Sequence, residues 1–138
     1  MNPGQKQKVI LVADDDSEDQ ELLEEAIFEV DPDTIADMVW NGKEALDYLE
    51  NCPGDKLPCA IILDYSMPIL NGAEVLAIIG KNPRFSAIPK FIWSTSSTRI
   101  HIQECMDNGA VKYFVKPDSP GKLRAVVEEI LAACGNHD

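Results

Sequence analysis

Short apolar runs alternate along the chain with longer segments in which apolar residues recur every three or four positions. The runs cover residues 8–13, 34–40, 60–64, 90–93 and 111–115. The first and third runs show no polar alternation, which is typical of strands buried on both faces of a sheet. We therefore predict five short strands, with the first and third of them in the interior of the sheet.

A helix is predicted after each strand, because each following segment carries an apolar stripe at helical spacing. Ser17 and Gln20 match a capping box at the start of the first helix, which residues 31–33 (Asp-Pro-Asp) end. Gly109 suits a left-handed C-cap of the fourth helix, and Ser119 an N-cap of the fifth. The residues predicted to face inward are Leu22, Leu23, Ala26, Ile27 and Val30, then Ala45, Leu46 and Leu49, then Val75, Leu76 and Ile79, then Ile102, Cys105 and Met106, and finally Leu123, Val126, Val127, Ile130 and Leu131.

The alternation of strand and helix repeats five times along the chain. Such alternation implies a parallel sheet with right-handed crossovers and helices on both faces. The predicted fold class is therefore α/β, with a doubly wound five-stranded parallel sheet.

Composition narrows the classes of partner. The chain has 138 residues, a net charge of -12 and a pI near 4.4, with 45% hydrophobic residues. Such an acidic surface repels phosphate backbones and anionic lipids, so we expect no direct binding to nucleic acid or membranes. A transmembrane-length apolar run and a signal peptide are both missing from the sequence, which predicts a cytoplasmic protein.

Cysteines stand at positions 52, 59, 105 and 134, and histidines at 101 and 137. Their spacing does not form a zinc-ligand set. Cys52 and Cys59 bracket a polar loop and could approach one another, but disulfides are uncommon in the cytosol. We therefore expect four reduced thiols.

Polar residues stand at the predicted carboxyl ends of four strands: the acidic triplet 14–16, Asp64, Ser94 and Lys116. Since parallel strands of one sheet point the same way, these side chains are expected at one edge. A sheet order that places the first strand beside the third brings the triplet next to Asp64. Closely spaced carboxylates repel one another, and Mg²⁺ suits oxygen ligands of this kind.

Carboxylates, a divalent metal and a lysine are the parts that phosphoryl transfer requires, because it depends on positioning and on neutralising the phosphoryl oxygens. In this interpretation Asp64 is the nucleophile and becomes an aspartyl phosphate, with Lys116 as a second positive charge and Ser94 as a hydroxyl donor. Each feature also has a structural interpretation as a helix cap, a loop cap or a solvated strand end. Their coincidence at one sheet edge favours the functional interpretation.

Four motifs resemble those of the receiver domain of two-component response regulators. They are residues 12–16 (Val-Ala-Asp-Asp-Asp), 63–68 (Leu-Asp-Tyr-Ser-Met-Pro) with Gly72, 93–95 (Trp-Ser-Thr) and 113–117 (Tyr-Phe-Val-Lys-Pro). The resemblance implies a flavodoxin-like (βα)5 receiver fold with strand order 2-1-3-4-5. It also implies one receiver domain over residues 1–138 without an effector domain, acting as a phosphorylation-driven switch and not as a dedicated enzyme.

The resemblance assigns roles to the matching residues. It implies that Asp64 accepts a phosphoryl group from a histidine kinase or phosphotransfer protein, and that Lys116 pairs with that group. Mg²⁺ would be held by Asp15, Asp64 and the backbone carbonyl of Ser66, with Asp14 acting mainly through a metal-bound water.

The resemblance also implies a switch. Ser94 is the expected switch hydroxyl and Tyr113 the aromatic residue that moves inward with it. Ser66 and Ser96 stand at positions that influence autodephosphorylation in the family, and Asp16 is assigned to the helix N-terminus instead of the metal. The expected output is an altered face on the fourth helix, fifth strand and fifth helix, which binds another protein; the chain would be a monomer or a phosphorylation-dependent dimer.

One alternative is a small phosphatase of the haloacid dehalogenase kind, with Asp14 as nucleophile and Asp16 as acid. Against it, Glu18 stands where that motif has threonine or valine, an acidic pair does not follow Lys116, and Asp64 has no role. Flavin or nucleotide binding on the same fold is disfavoured because a Gly-rich loop does not follow the first strand. A calcium loop is disfavoured because the acidic stretch lacks the glycine at its sixth position.

Overall fold

The computed structural model describes residues 7–135, which form a five-stranded sheet with five helices. The first six residues and His137 lie outside the described residues. The prediction that a signal peptide is missing concerns mainly those first residues. The elements in chain order are β1 (Val9–Ala13), α1 (Ser17–Val30), β2 (Ile35–Val39), α2 (Gly42–Asn51), β3 (Ala60–Asp64), α3 (Gly72–Gly80), β4 (Lys90–Ser94), α4 (Arg99–Asp107), β5 (Lys112–Val115) and α5 (Pro120–Gly135).

The strands are all parallel and follow the order β2-β1-β3-β4-β5, which confirms the predicted fold class and strand order. Strand β1 lies between β2 and β3, and its last residue, Ala13, pairs with Leu63. The residues that follow Ala13 and Leu63 are both acids, so Asp14 lies beside Asp64. The order of the sheet thus brings the two acidic motifs together at its carboxyl edge.

Two apolar clusters lie on opposite faces of the sheet, because successive strand residues point to opposite sides. Leu11 and Leu63 belong to the cluster covered by α2, α3 and α4. Ile10 and Ile62 belong to the cluster covered by α1 and α5. The central strands β1 and β3 are buried on both sides as predicted, which fixes the position of the acids that follow them.

The N-terminus of α1 is capped by Asp16, whose Oδ1 accepts hydrogen bonds from the backbone N–H of Glu18 at 2.9 Å and Asp19 at 3.1 Å. The predicted capping box of Ser17 and Gln20 is therefore wrong. Gln20 is buried and donates from Nε2 to the Asp14 carbonyl at 2.8 Å. Asp16 caps the helix from one residue earlier than Ser17, in agreement with its assignment to the helix N-terminus.

Two residues predicted to face inward are exposed: Leu22 by 53% and Met106 by 40%. Each adjoins a fully buried residue, Leu23 and Cys105 respectively, and neighbours on a helix are about 100° apart. In these two pairs the rotation of the helix turns Leu23 and Cys105 toward the sheet and leaves the neighbouring residue toward solvent. The left-handed residue predicted at the end of α4 is confirmed, since Gly109 has a φ of 100°.

A disulfide joins Cys59 to Cys134, so the prediction of four reduced thiols is wrong for this pair. Cys59 immediately precedes β3 and Cys134 lies near the end of α5, which covers the same face of the sheet. Their Cα atoms are 5.1 Å apart although 75 positions separate them in sequence. Cys52, the partner that sequence proximity suggested for Cys59, is free, as is Cys105.

Membrane-spanning length and apolar character are not combined in any helix within residues 7–135.

Candidate functional site

Three carboxyl groups converge where β1 and β3 end. Asp14 is fully buried, Asp64 is 5% exposed and Asp15 is exposed. Each can offer one oxygen such that the three oxygens lie within 4.8 Å of one another. Backbone N–H groups hold two of them: Asp16 donates to Asp14 Oδ1 at 2.9 Å, and Ser66 donates to Asp64 Oδ1 at 3.2 Å.

Lys116 follows β5 and places its ammonium among these acids, with only 11% of its side chain exposed. Its Nζ donates to Asp64 Oδ2 at 3.1 Å and to Asp19 Oδ2 at 2.7 Å. It also forms an ion pair with Asp14 Oδ2 at 2.9 Å, but without the alignment of a hydrogen bond, so that buried oxygen keeps unused acceptor capacity. One lysine therefore serves three carboxylates.

The balance of charge shows in the pKa values. Burial, and then the charge of Asp14, raise the pKa of Asp64 from 3.8 to about 7 against the opposing effect of Lys116. Burial lowers the pKa of Lys116, but contacts with Asp19 and Asp14 and the charge of Asp64 outweigh it and hold that pKa above its ordinary value. The site is short of positive charge. With an under-used buried oxygen and an all-oxygen donor set, it fits a hard divalent cation such as Mg²⁺.

Ser94 ends β4 one position beyond Trp93, which pairs with Asp64 across the sheet. It is 1% exposed, and its Oγ accepts from the Ser96 N–H at 3.1 Å. The bond holds the hydroxyl within its own loop, yet a hydroxyl that accepts still has its O–H to donate. Ser94 thus lies at the predicted edge of the sheet in contact with the loop that leads into α4.

Tyr113 on β5 is half-buried, and its hydroxyl donates to the Ser96 carbonyl at 2.7 Å. Both predicted switch residues, Ser94 and Tyr113, therefore contact the same residue. Ser96 also hydrogen-bonds through its Oγ to His101 Nδ1 at 2.9 Å. This residue links the end of β4 and strand β5 to the first turn of α4.

The loop after Asp64 folds tightly back onto the strand. Gly72 donates its N–H to the Tyr65 carbonyl at 2.9 Å, and Met67 is buried. A Cβ at Gly72 would lie 2.6 Å from the Asp64 carbonyl oxygen, so only glycine fits this close approach. Pro68 and Gly72 therefore belong to a loop that is packed against Asp64.

Four contacts around the site were not predicted from the sequence. Asp19 binds Lys116 as described, and the Trp93 ring lies 5.0 Å below the same ammonium. Tyr65 stacks on His101 with ring centroids 4.2 Å apart, and its hydroxyl donates to Glu104 at 2.7 Å. Asp19 can be recognised in the sequence as an acid in the first turn of α1. Glu18 is an acid in the same turn, so the sequence does not show which of the two contacts Lys116.

Comparison with known proteins identifies the family. The response regulator receiver domain model matches residues 10–128. Among curated relatives, the probable methanogenesis regulatory protein FilR2 of Methanothrix harundinacea (strain 6Ac) is 32% identical over 124 residues, covering 88% of this chain and 80% of the relative. The two-component response regulator ORR5 of Oryza sativa subsp. japonica is 30% identical over 126 residues, covering 88% and 87%.

Solved structures agree with this match. The phosphorylated cyanobacterial phytochrome response regulator RcpA has a TM-score of 0.81 at 29% identity, with 91% of each chain covered. The Mn(2+)-bound form of response regulator Rcp1 has a TM-score of 0.79 at 26% identity, with 91% of this chain and 92% of that chain covered. The haloacid dehalogenase alternative receives no support from these comparisons. The chain belongs to the receiver domain family of two-component response regulators.

Proposed function

We propose that this receiver domain accepts a phosphoryl group on Asp64 and changes its affinity for a protein partner in response. The observation that carries the proposal is the position of Asp64. It is a buried carboxylate at the end of a central strand, with the Lys116 ammonium 3.1 Å away and the Asp14 and Asp15 carboxylates close by. The phosphorylated state in the name of the similar RcpA structure agrees with this role.

The proposed donor is a phosphohistidine on a histidine kinase or phosphotransfer protein. An Asp64 oxygen attacks phosphorus, the bond between phosphorus and the histidine nitrogen breaks, and the departing nitrogen keeps the electron pair and takes up a proton. The product is an acyl phosphate on Asp64. Lys116 would neutralise charge on the phosphoryl oxygens from its present place beside the carboxylate.

Asp14, Asp15, Asp64 and the backbone carbonyl of Ser66 are the groups proposed to hold Mg²⁺. When bound, the cation supplies positive charge to the carboxylates and to the phosphoryl oxygens. The under-used buried oxygen of Asp14 and the raised pKa of Asp64 support a cation at this place. The Mn(2+)-bound form in the name of the similar Rcp1 structure supports a divalent ion.

The switch is proposed to pass from Ser94 and Tyr113 to the surface formed by α4, β5 and α5. Both residues contact Ser96, which is bonded to His101 on α4, so a movement of the Ser94 hydroxyl toward a phosphoryl group disturbs that linkage. The proposed partners are a histidine kinase or phosphotransfer protein and a downstream protein, without direct contact to nucleic acid or membrane. The cytoplasmic location and the monomer or phosphorylation-dependent dimer stay predictions.

The test is phosphorylation with a small donor. The protein is incubated with Mg²⁺ and acetyl phosphate, and the modified residue is located by mass spectrometry after trapping the acyl phosphate with hydroxylamine. We expect one phosphoryl group on Asp64 in the wild type, none in Asp64→Asn, and slower labelling of Asp64 in Asp14→Asn. Label that survives Asp64→Asn but is lost in Asp14→Asn would overturn the proposal in favour of a hydrolase with Asp14 as nucleophile.

A further inference from the structure

Asp19 makes the shortest contact that the Lys116 ammonium has, 2.7 Å from Nζ to Oδ2. It lies outside the group of carboxylates able to hold a metal ion, which consists of Asp14, Asp15 and Asp64. We propose that Asp19 is a positioning residue that holds the Lys116 ammonium in place beside Asp64 for phosphoryl transfer. The inference rests on the proposed function and names a residue that determines how well the site works.

The geometry makes Asp19 a rigid anchor. It stands in the first turn of α1, where its backbone N–H is bonded to the Asp16 cap at 3.1 Å. Helix α1 is itself packed against α5 and against the sheet through Leu23 and Ile27. A carboxylate on such an element keeps its position, and its side chain is only 28% exposed. A partner fixed in this way restricts a lysine side chain that is otherwise flexible.

A second contact restrains the same ammonium. The Trp93 ring, 3% exposed, lies with its centroid 5.0 Å from Lys116 Nζ, within the range of a cation–π interaction. Trp93 belongs to the apolar cluster on the α1 and α5 face of the sheet, the face from which Asp19 approaches. Asp19 and Trp93 therefore hold Lys116 from the same side of the sheet.

The other two carboxylates have further duties, which gives Asp19 its distinct role. Asp64 is the proposed acceptor and is itself modified, while both Asp14 and Asp64 belong to the candidate metal cluster. Asp19 is free of both tasks, so its bond to Lys116 can persist through the reaction. Of the three donors of the ammonium, the bond to Asp19 fixes one and leaves another directed at Asp64.

Charge repulsion would have the opposite effect on the rate of phosphorylation, because Asp19 also brings a negative charge toward an incoming phosphoryl group. If repulsion dominated, removal of Asp19 would speed phosphorylation. If Asp19 only stabilised α1, its removal would lower the melting temperature and leave the rate unchanged. A positioning role predicts a slower reaction, and a residue that keeps an oxygen acceptor should restore part of the rate.

The experiment compares Asp19→Ala, Asp19→Asn and Glu18→Ala for the initial rate of Asp64 phosphorylation by acetyl phosphate with Mg²⁺. Glu18 is an exposed acid in the same turn, so its substitution removes the same charge, whereas the carboxylates that contact Lys116 are Asp14, Asp19 and Asp64. We expect Asp19→Ala to be slower by about three- to tenfold. Asp19→Asn should lie between it and the wild type, and Glu18→Ala should change the rate by less than about twofold, as an exposed charge does.

A second measurement uses the metal-free protein. A buried, hydrogen-bonded ammonium exchanges its protons slowly, so the ¹⁵N spectrum of the lysine side chains should contain a Nζ signal that Lys116→Arg removes. We expect Asp19→Ala to abolish that signal, Glu18→Ala to retain it, and the backbone amide spectrum to show that all variants are folded.

The two measurements separate the inference from the proposed function. If the wild type accepts no phosphoryl group on Asp64, the proposed function fails, whatever the Nζ signal does. If the wild type is phosphorylated and Asp19→Ala matches or exceeds its rate, the positioning role of Asp19 is overturned while the proposed function stands. A Nζ signal that survives in Asp19→Ala would also overturn it.

Discussion

At Asp64, burial in the fold opposes ionisation of the carboxyl group. In the metal-free protein, burial and the charge of Asp14 raise its pKa from 3.8 to about 7. The folded state therefore binds a proton that the unfolded state releases at lower pH. The contribution of Asp64 to the free energy of unfolding consequently falls as pH rises from about 4 to about 7, because ionisation of Asp64 is unfavourable in the folded state.

Substituting Asp64 should reveal this opposition. We expect Asp64→Asn to stabilise the metal-free protein at pH 8 by roughly 1–3 kcal/mol, since asparagine keeps the shape without the buried charge. The advantage should grow from about pH 4 to about pH 7 and level off near pH 8. Urea denaturation in the presence of EDTA measures it at each pH. An advantage independent of pH would contradict the raised pKa of Asp64.

At this scale, sequence reasoning succeeds where a residue follows a recognisable strand end. Asp14, Asp64, Ser94 and Lys116 all lie at the predicted edge of the sheet, because register and strand direction determine where each strand ends. The contact of Asp19 with Lys116 was not predicted, because it depends on how α1 is rotated over the sheet. That rotation follows from side-chain packing, which the pattern of apolar residues defines only to within a residue.

The loop between β3 and α3 shows how an element positions the site. It begins at Asp64, contains the left-handed residue Ile69 with a φ of 73°, and ends at Gly72, which closely approaches the Asp64 backbone at the end of β3. Asn71 and Glu74 then form a capping box that starts α3. The loop is therefore fixed at both ends. We infer that its close approach to Asp64 keeps the Ser66 backbone near the acidic cluster.

Replacing Gly72 tests this arrangement. A Cβ there would lie 2.6 Å from the Asp64 carbonyl oxygen and 2.9 Å from Ile92 Cδ1, so the backbone at the end of β3 must shift. We expect Gly72→Ala to destabilise the protein by about 2 kcal/mol or more and to slow phosphorylation of Asp64.

The matched control is Gly54→Ala, because a Cβ at Gly54 would have open space around it. Its stability should stay within about 0.5 kcal/mol of the wild type. Urea denaturation of both variants measures the difference, and equal effects of the two substitutions would contradict the close packing of the loop against Asp64.

Element boundaries followed the sequence signals closely, whereas helix faces did so less well. Strand β3 spans Ala60–Asp64 as predicted, and α1 ends where residues 31–33 interrupt the helix. The errors at Leu22 and Met106 arose because each is adjacent to another apolar residue of the same stripe. Which neighbour is buried depends on the helix rotation, and that is a tertiary property.

For the whole molecule, the alternation of strand and helix was enough to predict a doubly wound parallel sheet, because few topologies are compatible with short right-handed connections. The strand order 2-1-3-4-5 came from the resemblance of the four motifs to receiver domains. The Cys59–Cys134 disulfide was not predictable in the same way. Its residues are 75 positions apart, and they meet only because α5 returns across the sheet to the start of β3. The expectation of four reduced thiols followed from the predicted cytoplasmic location, and the disulfide contradicts it. The single-domain organisation over residues 1–138 stays a prediction.

The disulfide joins the start of β3 to the end of α5, at the end of the sheet opposite Asp64. A link that closes so long a loop restricts the unfolded chain, and links of this kind stabilise proteins by about 2–4 kcal/mol. We expect Cys134→Ser to lower the melting temperature and to make it insensitive to dithiothreitol, whereas the wild type should lose stability on reduction. Cys52→Ser, which changes a free thiol, should keep the wild-type response.

Thiol titration of the denatured, unreduced wild type should find two of its four cysteines reactive, and four reactive thiols would contradict the link. Because the bond lies away from the acidic cluster, the rate of Asp64 phosphorylation below the melting temperature should be the same with and without it.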